Sequence, residues 1–514
     1  MSLTGRRCAT TPCITRLCTK LFVVFVFLCL TGCKVGPDYH PPGNCVPDEW
    51  SAPETTDDIS ISYEPPPIFW WEIFNDPLLN KYIQMAACHN NDVLAAEANI
   101  FQARAIRKVS AAPLFPKISA DFDAFHTFLS QNGPIDALAT AGKPVAAAIS
   151  PVSISQLNLF NNFIDASWEL DIFGKTKRGI ESSEAALESA IEQKNDILIS
   201  VFGEVARNYI ELRGAQKQKS LLEKNIETLQ KNVLIIQKRY STGYSNILEL
   251  EQIDIQLNQA LSTLPAVTTA VYRNIFAISV LTGDLPEALL HELLCAQPLP
   301  ELPECLSTGL RSDLMRRRPD IREAERNLAQ ATANIGVAVA SFFPSITLTG
   351  ILGFQTLKLD NLFSSGSKTW IYGADINMPI FQGGKLVGNL KIAEAQAAAL
   401  AFTYQQTVLN ALRDAESALI SYGEDVKTSG ELKKIVASNQ RLTDLNQQRY
   451  TKGLVGQLDY LNSTLILNNA ELSLLQSETA ALLDLVSLYK ALGGGWEPFD
   501  PQCPVWSACD LSPL

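Results

Sequence analysis

Four histidines occur in 514 residues, His40, His89, His126 and His291, and they are scattered. There is no His-Glu-x-x-His or Cys-x-x-Cys metal spacing, and no glycine-rich phosphate loop with its lysine. The glycine run Gly493 to Gly495 before Trp496 closes a helical pattern and reads as a C-cap. The sequence therefore reads as a non-enzyme with no metal and no dissociable cofactor. Basic residues are also scarce, 42 Lys and Arg against 54 Asp and Glu, which leaves no basic face for a nucleic acid. The apolar run Leu21 to Leu30, about ten residues, is too short to span a bilayer as a helix. Proline, though 27 strong in the chain, is missing from residues 174–240 and 385–450.

The N-terminus carries an address. Arg6, Arg7, Arg16 and Lys20 precede a short apolar run, Leu21 to Leu30, which has the form of a secretory signal. The run ends in Leu30-Thr31-Gly32-Cys33, which resembles the bacterial lipobox. That resemblance implies cleavage before Cys33 and a covalent lipid there, diacylglycerol on the thiol and an acyl chain on the new amino group. Lys34-Val35 follows, without an aspartate that would resemble an inner-membrane retention signal, so the expected location is the outer membrane, lipid-anchored and extending into the periplasm. Loss of residues 1–32 removes four basic residues and no acid, taking the formal charge from −12 to −16. The periplasm permits disulfides, and Cys295 with Cys305 and Cys503 with Cys509 are near enough in sequence to pair. With Cys45 and Cys88 the connectivity stays open. Residues 34–67 are proline-rich and read as an extended arm.

The chain is duplicated. Gln-Lys-Arg-Tyr-Ser-Thr-Gly (237–243) and Gln-Gln-Arg-Tyr-Thr-Lys-Gly (447–453) are offset by 210 residues, as are Gly174-Lys175 and Gly384-Lys385. Upstream the offset is 228, matching Leu114-Phe115-Pro116 to Phe342-Phe343-Pro344, so the first copy carries an insertion of 18 residues between Pro116 and Gly174. Units this long are doubled domains, not solenoid repeats. The reading divides the chain into a signal peptide (1–32), an arm (33–67), a first repeat (68–283), a connector (284–311), a second repeat (312–492) and a tail (493–514).

Each repeat has the order helix, strand pair, very long helix, break, helix. The proline-free stretches carry apolar residues three and four apart, such as Ile180, Leu187, Ile191, Leu198, Val201, Val205 and Tyr209. They predict rods of roughly 100 Å packed as coiled coils. Shorter helices are predicted over 77–111, 246–283, 312–341 and 456–492, with Pro265 kinking the second. Four segments alternate with period two, over about 117–128, 159–172, 345–354 and 370–381. Ile164, Ala166, Trp168, Leu170 and Ile172 alternate with Asp165, Ser167, Glu169 and Asp171. This pattern marks membrane barrel strands. Four strands cannot close, and an open edge in lipid leaves backbone groups unpaired, so the barrel is shared between chains. Its inner wall is expected to be acidic, from Asp121, Asp165, Glu169, Asp171 and Asp375.

The stretches CKVGPDYHPP, WWEIFNDPLLNKYI, SWELDIFGKTKRGIESSEAAL, RSDLMRRRPDIREAERNLAQATANIGVAVASFFPSITLTG, PIFQGGK and LYKALGGGW resemble the TolC/OprM-type outer-membrane factors of tripartite efflux pumps, closest to their lipoprotein branch, which serves RND pumps. The resemblance runs from Cys33 to about Trp496. It implies a mixed α and β fold, internally duplicated: an all-α periplasmic helical barrel plus a transmembrane β-barrel shared by a homotrimer, four strands per chain. It implies as partners a periplasmic adaptor (membrane fusion) protein and an inner-membrane RND pump, and as function a passive exit duct for small molecules. A type I protein secretion duct and a structural coiled-coil envelope lipoprotein are the competing readings; conductance separates the last from a duct. The resemblance also places the breaks Arg239-Tyr240…Gly243 and Arg449-Tyr450…Gly453 at the periplasmic tip. There Asp459 would line the narrow entrance and Glu249 would pair with a neighbouring hairpin. A second acid of the family falls on Asn462 and a gate arginine on Val455, so the closing network is expected to be built differently.

Overall fold

The computed structural model describes residues 34–43, 46–51, 55–56, 59–128, 156–303 and 305–499. In chain order the principal elements are β1 (Thr55–Thr56), β2 (Ile59–Ser62), α1 (Pro77–His89), α2 (Asn91–Ala111), β3 (Lys117–Phe128) and β4 (Gln156–Leu170). There follow α3 (Lys175–Ser241), α4 (Ile247–Leu281), β5 (Cys305–Ser307), α5 (Pro319–Ala340), β6 (Ser345–Thr356), β7 (Lys368–Asn377), α6 (Lys385–Thr451) and α7 (Gln457–Leu492). The two long helices each have 67 residues, about 100 Å at 1.5 Å per residue.

The chain divides into two compact units. One takes in the arm up to His40, Arg104–Ala186 and Leu328–Ala399; the other takes in Pro41–Ala103, Leu187–Asn327 and Leu400–Leu514. The first holds an antiparallel sheet in the order β3-β4-β6-β7. Its register carries alternation on each strand into continuous rows across the sheet. Ile118, Ala166, Gly350 and Tyr372 face one another in one row, and Ala120, Ile164, Leu352 and Trp370 in the next. Trp168, Leu348 and Ala374 form a third. A one-residue slip of any strand would move its apolar set to the other face, so these rows fix the register.

The second unit has an apolar core built on Trp70, Trp71, Tyr82, Phe202, Tyr209, Leu482, Leu485 and Tyr489. Trp70 stacks on Tyr489 with ring centroids 5.7 Å apart and planes 10° from parallel. A smaller cluster joins α3 and α4 at heptad-like spacing, Leu222, Ile226, Leu229 and Ile236 against Ile253, Ala260 and Val267. α4 is long and apolar enough to cross a membrane by length and composition; here its apolar seam is used against α3.

Several elements depart from the sequence reading. The helix predicted over 77–111 is two helices, broken at buried Asn90 (φ −65°, ψ 128°). The one predicted over 312–341 is broken at Arg318 (φ −77°, ψ 119°), ahead of Pro319, as the residue before a proline prefers. The two breaks are equivalent under the 228-residue offset, and their side chains do equivalent work. Asn90 Nδ2 donates to Leu281 O at 2.9 Å, and Arg318 Nη1 donates to Ala491 O at 2.8 Å. Leu281 and Ala491 are themselves related by the 210-residue offset and end the returning helices. Each repeat thus ties the end of its last helix to a break in its first. Pro265 does not interrupt α4, which runs through it. β4 stops at Leu170 and β7 at Asn377, because Asp171 turns to cap α3 and Pro379 has no N–H to donate. The arm is more than an extended tether: β2 pairs in parallel with β5 of the connector. Cys88 and Cys295 are exposed free thiols. Cys45, Cys503, Cys509 and the side chain of Cys305 lie outside the described residues, as does Cys33.

Candidate functional site: the sheet face and the helix tips

The face of the sheet opposite the apolar rows carries Asp121, Asp123, Asp165, Glu169 and Asp375, interleaved with Ser119, Ser167, Thr347 and Thr349. Ser119 Oγ donates to both carboxylate oxygens of Asp165 at 2.9 Å. Glu169, Thr347 and Asp375 share one cross-strand row. Phe163, Ile351 and Ile371 also lie on this face, so it is acidic without being wholly polar. Asp171 does not belong to it. Its two oxygens accept the backbone N–H groups of Thr176 (3.0 Å) and Lys177 (2.8 Å) at the start of α3, where a carboxylate also meets the positive end of the helix dipole. The apolar face is open, with Ile118, Phe122, Ile164, Leu352, Trp370, Tyr372 and Ile376 exposed.

The helix tips explain the repeated Arg-Tyr-x-x-Gly. In the first, Gly243 N donates to Tyr240 O (3.0 Å) and Tyr244 N to Arg239 O (2.8 Å), with Gly243 at φ 79°. In the second, Gly453 N donates to Tyr450 O and Leu454 N to Arg449 O, both at 2.9 Å, with Gly453 at φ 66°. These are Schellman closures, in which the left-handed residue is glycine because a side chain there is strained. The motif's Arg and Tyr supply the two accepting carbonyls; their side chains are exposed at the tip.

The acids nine residues beyond each tyrosine start the returning helices, and the two tips differ. Asn246 caps α4, its Oδ1 accepting Glu249 N at 2.9 Å, and the Glu249 carboxylate accepts a hydrogen bond from Ser245 Oγ. In the second tip the cap position is Gly456, which has no side chain. Asp459 reaches back instead, Oδ2 accepting Gly456 N at 3.0 Å. Tyr450 stacks on Tyr460, centroids 6.1 Å apart and planes 5° from parallel; the first repeat has Leu250 at the place of Tyr460. The sequence reading missed Asn246, Ser245 and Tyr460. A cap residue ahead of a first-turn acid was the available signal in the first tip.

A sequence model of the outer membrane efflux protein family matches residues 82–284 and 310–494, one block in each repeat. The chain belongs to the outer membrane efflux protein family. It is 30% identical over 490 residues to the solvent efflux pump outer membrane protein SrpC of Pseudomonas putida, covering 93% of this chain and 98% of that one. Among solved structures it resembles the outer-membrane channel OprN, with a TM-score of 0.79 and 28% identity over 91% of this chain and all of the other. It also resembles the MtrE channel of Neisseria gonorrhoeae in its open state, with a TM-score of 0.76 and 26% identity over 90% and 99% of the two chains. Membership gives the function: the protein is an exit duct for efflux in the outer membrane, one component of a pump.

Proposed function

We propose that three copies of this chain assemble so that their four-stranded sheets close a twelve-stranded barrel and their helices line a hollow periplasmic duct. The observation that carries this is the sheet β3-β4-β6-β7, which has an exposed apolar face and, among the described residues, unpaired edges on β3 and β7. In lipid each unpaired backbone group costs several kcal/mol, and neighbours in a ring remove both edges. The acidic face then lines the lumen and favours cations by charge focusing. Cys33 carries the diacylglycerol and N-acyl chains that hold the assembly to the membrane; the lipobox-like sequence supports this. The partners are a periplasmic adaptor and an inner-membrane RND pump, and the cargo is small organic molecules, the class named for SrpC and for the toluene efflux proteins of Pseudomonas putida.

The tips are the closing element. Three Asp459 side chains ring the axis, each with one oxygen given to its own Gly456 N–H and the other open to a cation. Tyr450 of one hairpin meets Glu249 of a neighbouring hairpin and holds the entrance shut. The mass of the detergent-solubilised protein and its conductance in planar bilayers test the assembly. Three chains and a cation-preferring channel are expected. A mass other than three chains, or no conductance, overturns it.

A further inference from the structure

Arg178, near the start of α3, is 1% exposed, and an arginine so buried is tolerated only where its donors are met. Most of its bonds go to the segment that begins one residue after Cys33. Nε donates to Val35 O (3.1 Å), Nη2 to Gly36 O (3.1 Å) and to Asp38 Oδ1 (2.8 Å). The remaining bond, Nη1 to Glu181 Oε2 at 2.9 Å, is shared with Lys34, whose Nζ lies 2.8 Å from the same oxygen. Val35 N donates to Phe173 O at 3.4 Å.

Two glycines are shaped to this contact. A Cβ on Gly36, which has φ +88°, would lie 2.6 Å from Gly336 Cα on α5; a Cβ on Gly336 would lie 2.7 Å from Arg178 Cδ. The site is thus built from three separated parts of the sequence. The duplication shows that the arginine is not needed for the repeat's own packing, because 210 residues on the equivalent position is Gly388, with open space beside it. The docked segment also has a definite height. Phe173 stacks on Phe343, centroids 4.7 Å apart, and these residues lie just past the end of β4 and just ahead of β6, at the ends of the two central strands.

We propose that Arg178, with Gly336 and Glu181, is a receptor for the mature N-terminal segment Lys34–Asp38, and that its occupancy fixes where beside the sheet the acyl chains on Cys33 enter the membrane. The proposal rests on lipidation of Cys33. Consecutive Cα atoms are about 3.8 Å apart, so a docked Lys34 holds the Cα of the lipidated residue within about 4 Å of its own.

Trypsin provides the test, since Lys34–Val35 is itself a cleavage site held in the docked segment. In the full-length protein in detergent-solubilised outer membranes, where trypsin reaches the periplasmic face, Arg178→Ala is expected to speed cleavage at Lys34 at least about tenfold, as local opening of a docked segment does. Arg178→Lys is expected to fall between, because an ammonium cannot reproduce the fork of donors. Gly336→Ala, whose Cβ would crowd the stem and Nε of Arg178 and displace it from the docked segment, is expected to match Arg178→Ala. The state of assembly on native gels separates undocking from failure to fold. Equal cleavage rates in parent and variants, with assembly intact, overturn the receptor. The mass of the released fragment reports separately on the anchor: a fragment without acyl chains refutes lipidation while leaving the docking rates readable.

Discussion

Ile164 and Asp165 are neighbours on β4 with opposite surroundings, and exchanging each in turn for lysine separates the two faces of the sheet. Ile164 is 53% exposed in the apolar row of Ala120, Leu352 and Trp370, near the middle of a 15-residue strand. A lysine at the midplane on the lipid face of a barrel costs about 2–4 kcal/mol. Three copies in one barrel then cost about 6–12 kcal/mol, comparable with the whole net stability of a typical domain, about 5–15 kcal/mol. Ile164→Lys is therefore expected to abolish the assembled species in outer-membrane fractions, while Ile164→Val leaves it intact. In the proposed trimer Asp165→Lys turns a charge inside the lumen, six charge units over three chains. It is expected to assemble and to move the reversal potential toward anions. Assembly can be followed by native electrophoresis of heated and unheated membranes, and selectivity in bilayers under a salt gradient. If Ile164→Lys assembles as well as the parent, or if Asp165→Lys is the variant that fails, the assignment of the two faces is wrong.

Asp459→Asn keeps an acceptor for Gly456 N–H and removes the charge, whereas Asp459→Ala removes both; loss of divalent-cation block in both variants supports the ring, and loss in Asp459→Ala alone reduces Asp459 to a helix cap. Glu249→Ala is expected to raise the resting conductance. Burial, with repulsion from Asp320, holds the Asp196 carboxyl above the usual carboxylate range. Such a group favours the folded state when protonated, and that contribution is lost as pH rises through its folded value. Asp196→Asn is accordingly expected to raise the melting temperature at neutral pH, with the gain vanishing below about pH 4, where the aspartic acid is protonated folded or unfolded. Cys33→Ser is expected to leave the precursor uncleaved at that site while the sheet still inserts; mass spectrometry of an unmodified terminus starting elsewhere would remove the anchor.

The sheet strands could be read from the sequence because each face meets a different environment, so period-two alternation survives over ten or more residues. The long helices could be read because 67 residues without proline admit little else, and the tips because glycine alone takes the closing backbone cheaply. What escaped is of another kind. Asn90 looks like any polar residue inside a helical pattern; its Oδ1 accepts Asp92 N and Val93 N to start a new helix while its Nδ2 donates to Leu281 O, and the second partner is invisible locally. Asp171 continues the alternation of β4 and leaves it only because α3 starts four residues later with free N–H groups. Arg178 stands among Lys175, Lys177 and Arg178, three cations of which one is buried, and nothing local says which. Asn90 and Arg178 answer to carbonyls far away in sequence, and Asp171 to the start of the next helix, none of which periodicity reports.

The equal length of the two long helices has a consequence for how such a protein can change. One inserted residue turns everything beyond it by about 100°, and so would carry the seam of α3 away from α4. Steps of seven residues nearly preserve the facing side chains, yet a heptad added to α3 alone would put its tip about 10 Å beyond that of α6. A viable change of length therefore needs whole heptads in both long helices, matched again in the helices that return beside them. Such coincidences are rare, so the span of the duct is expected to drift far more slowly in evolution than the residues that line it.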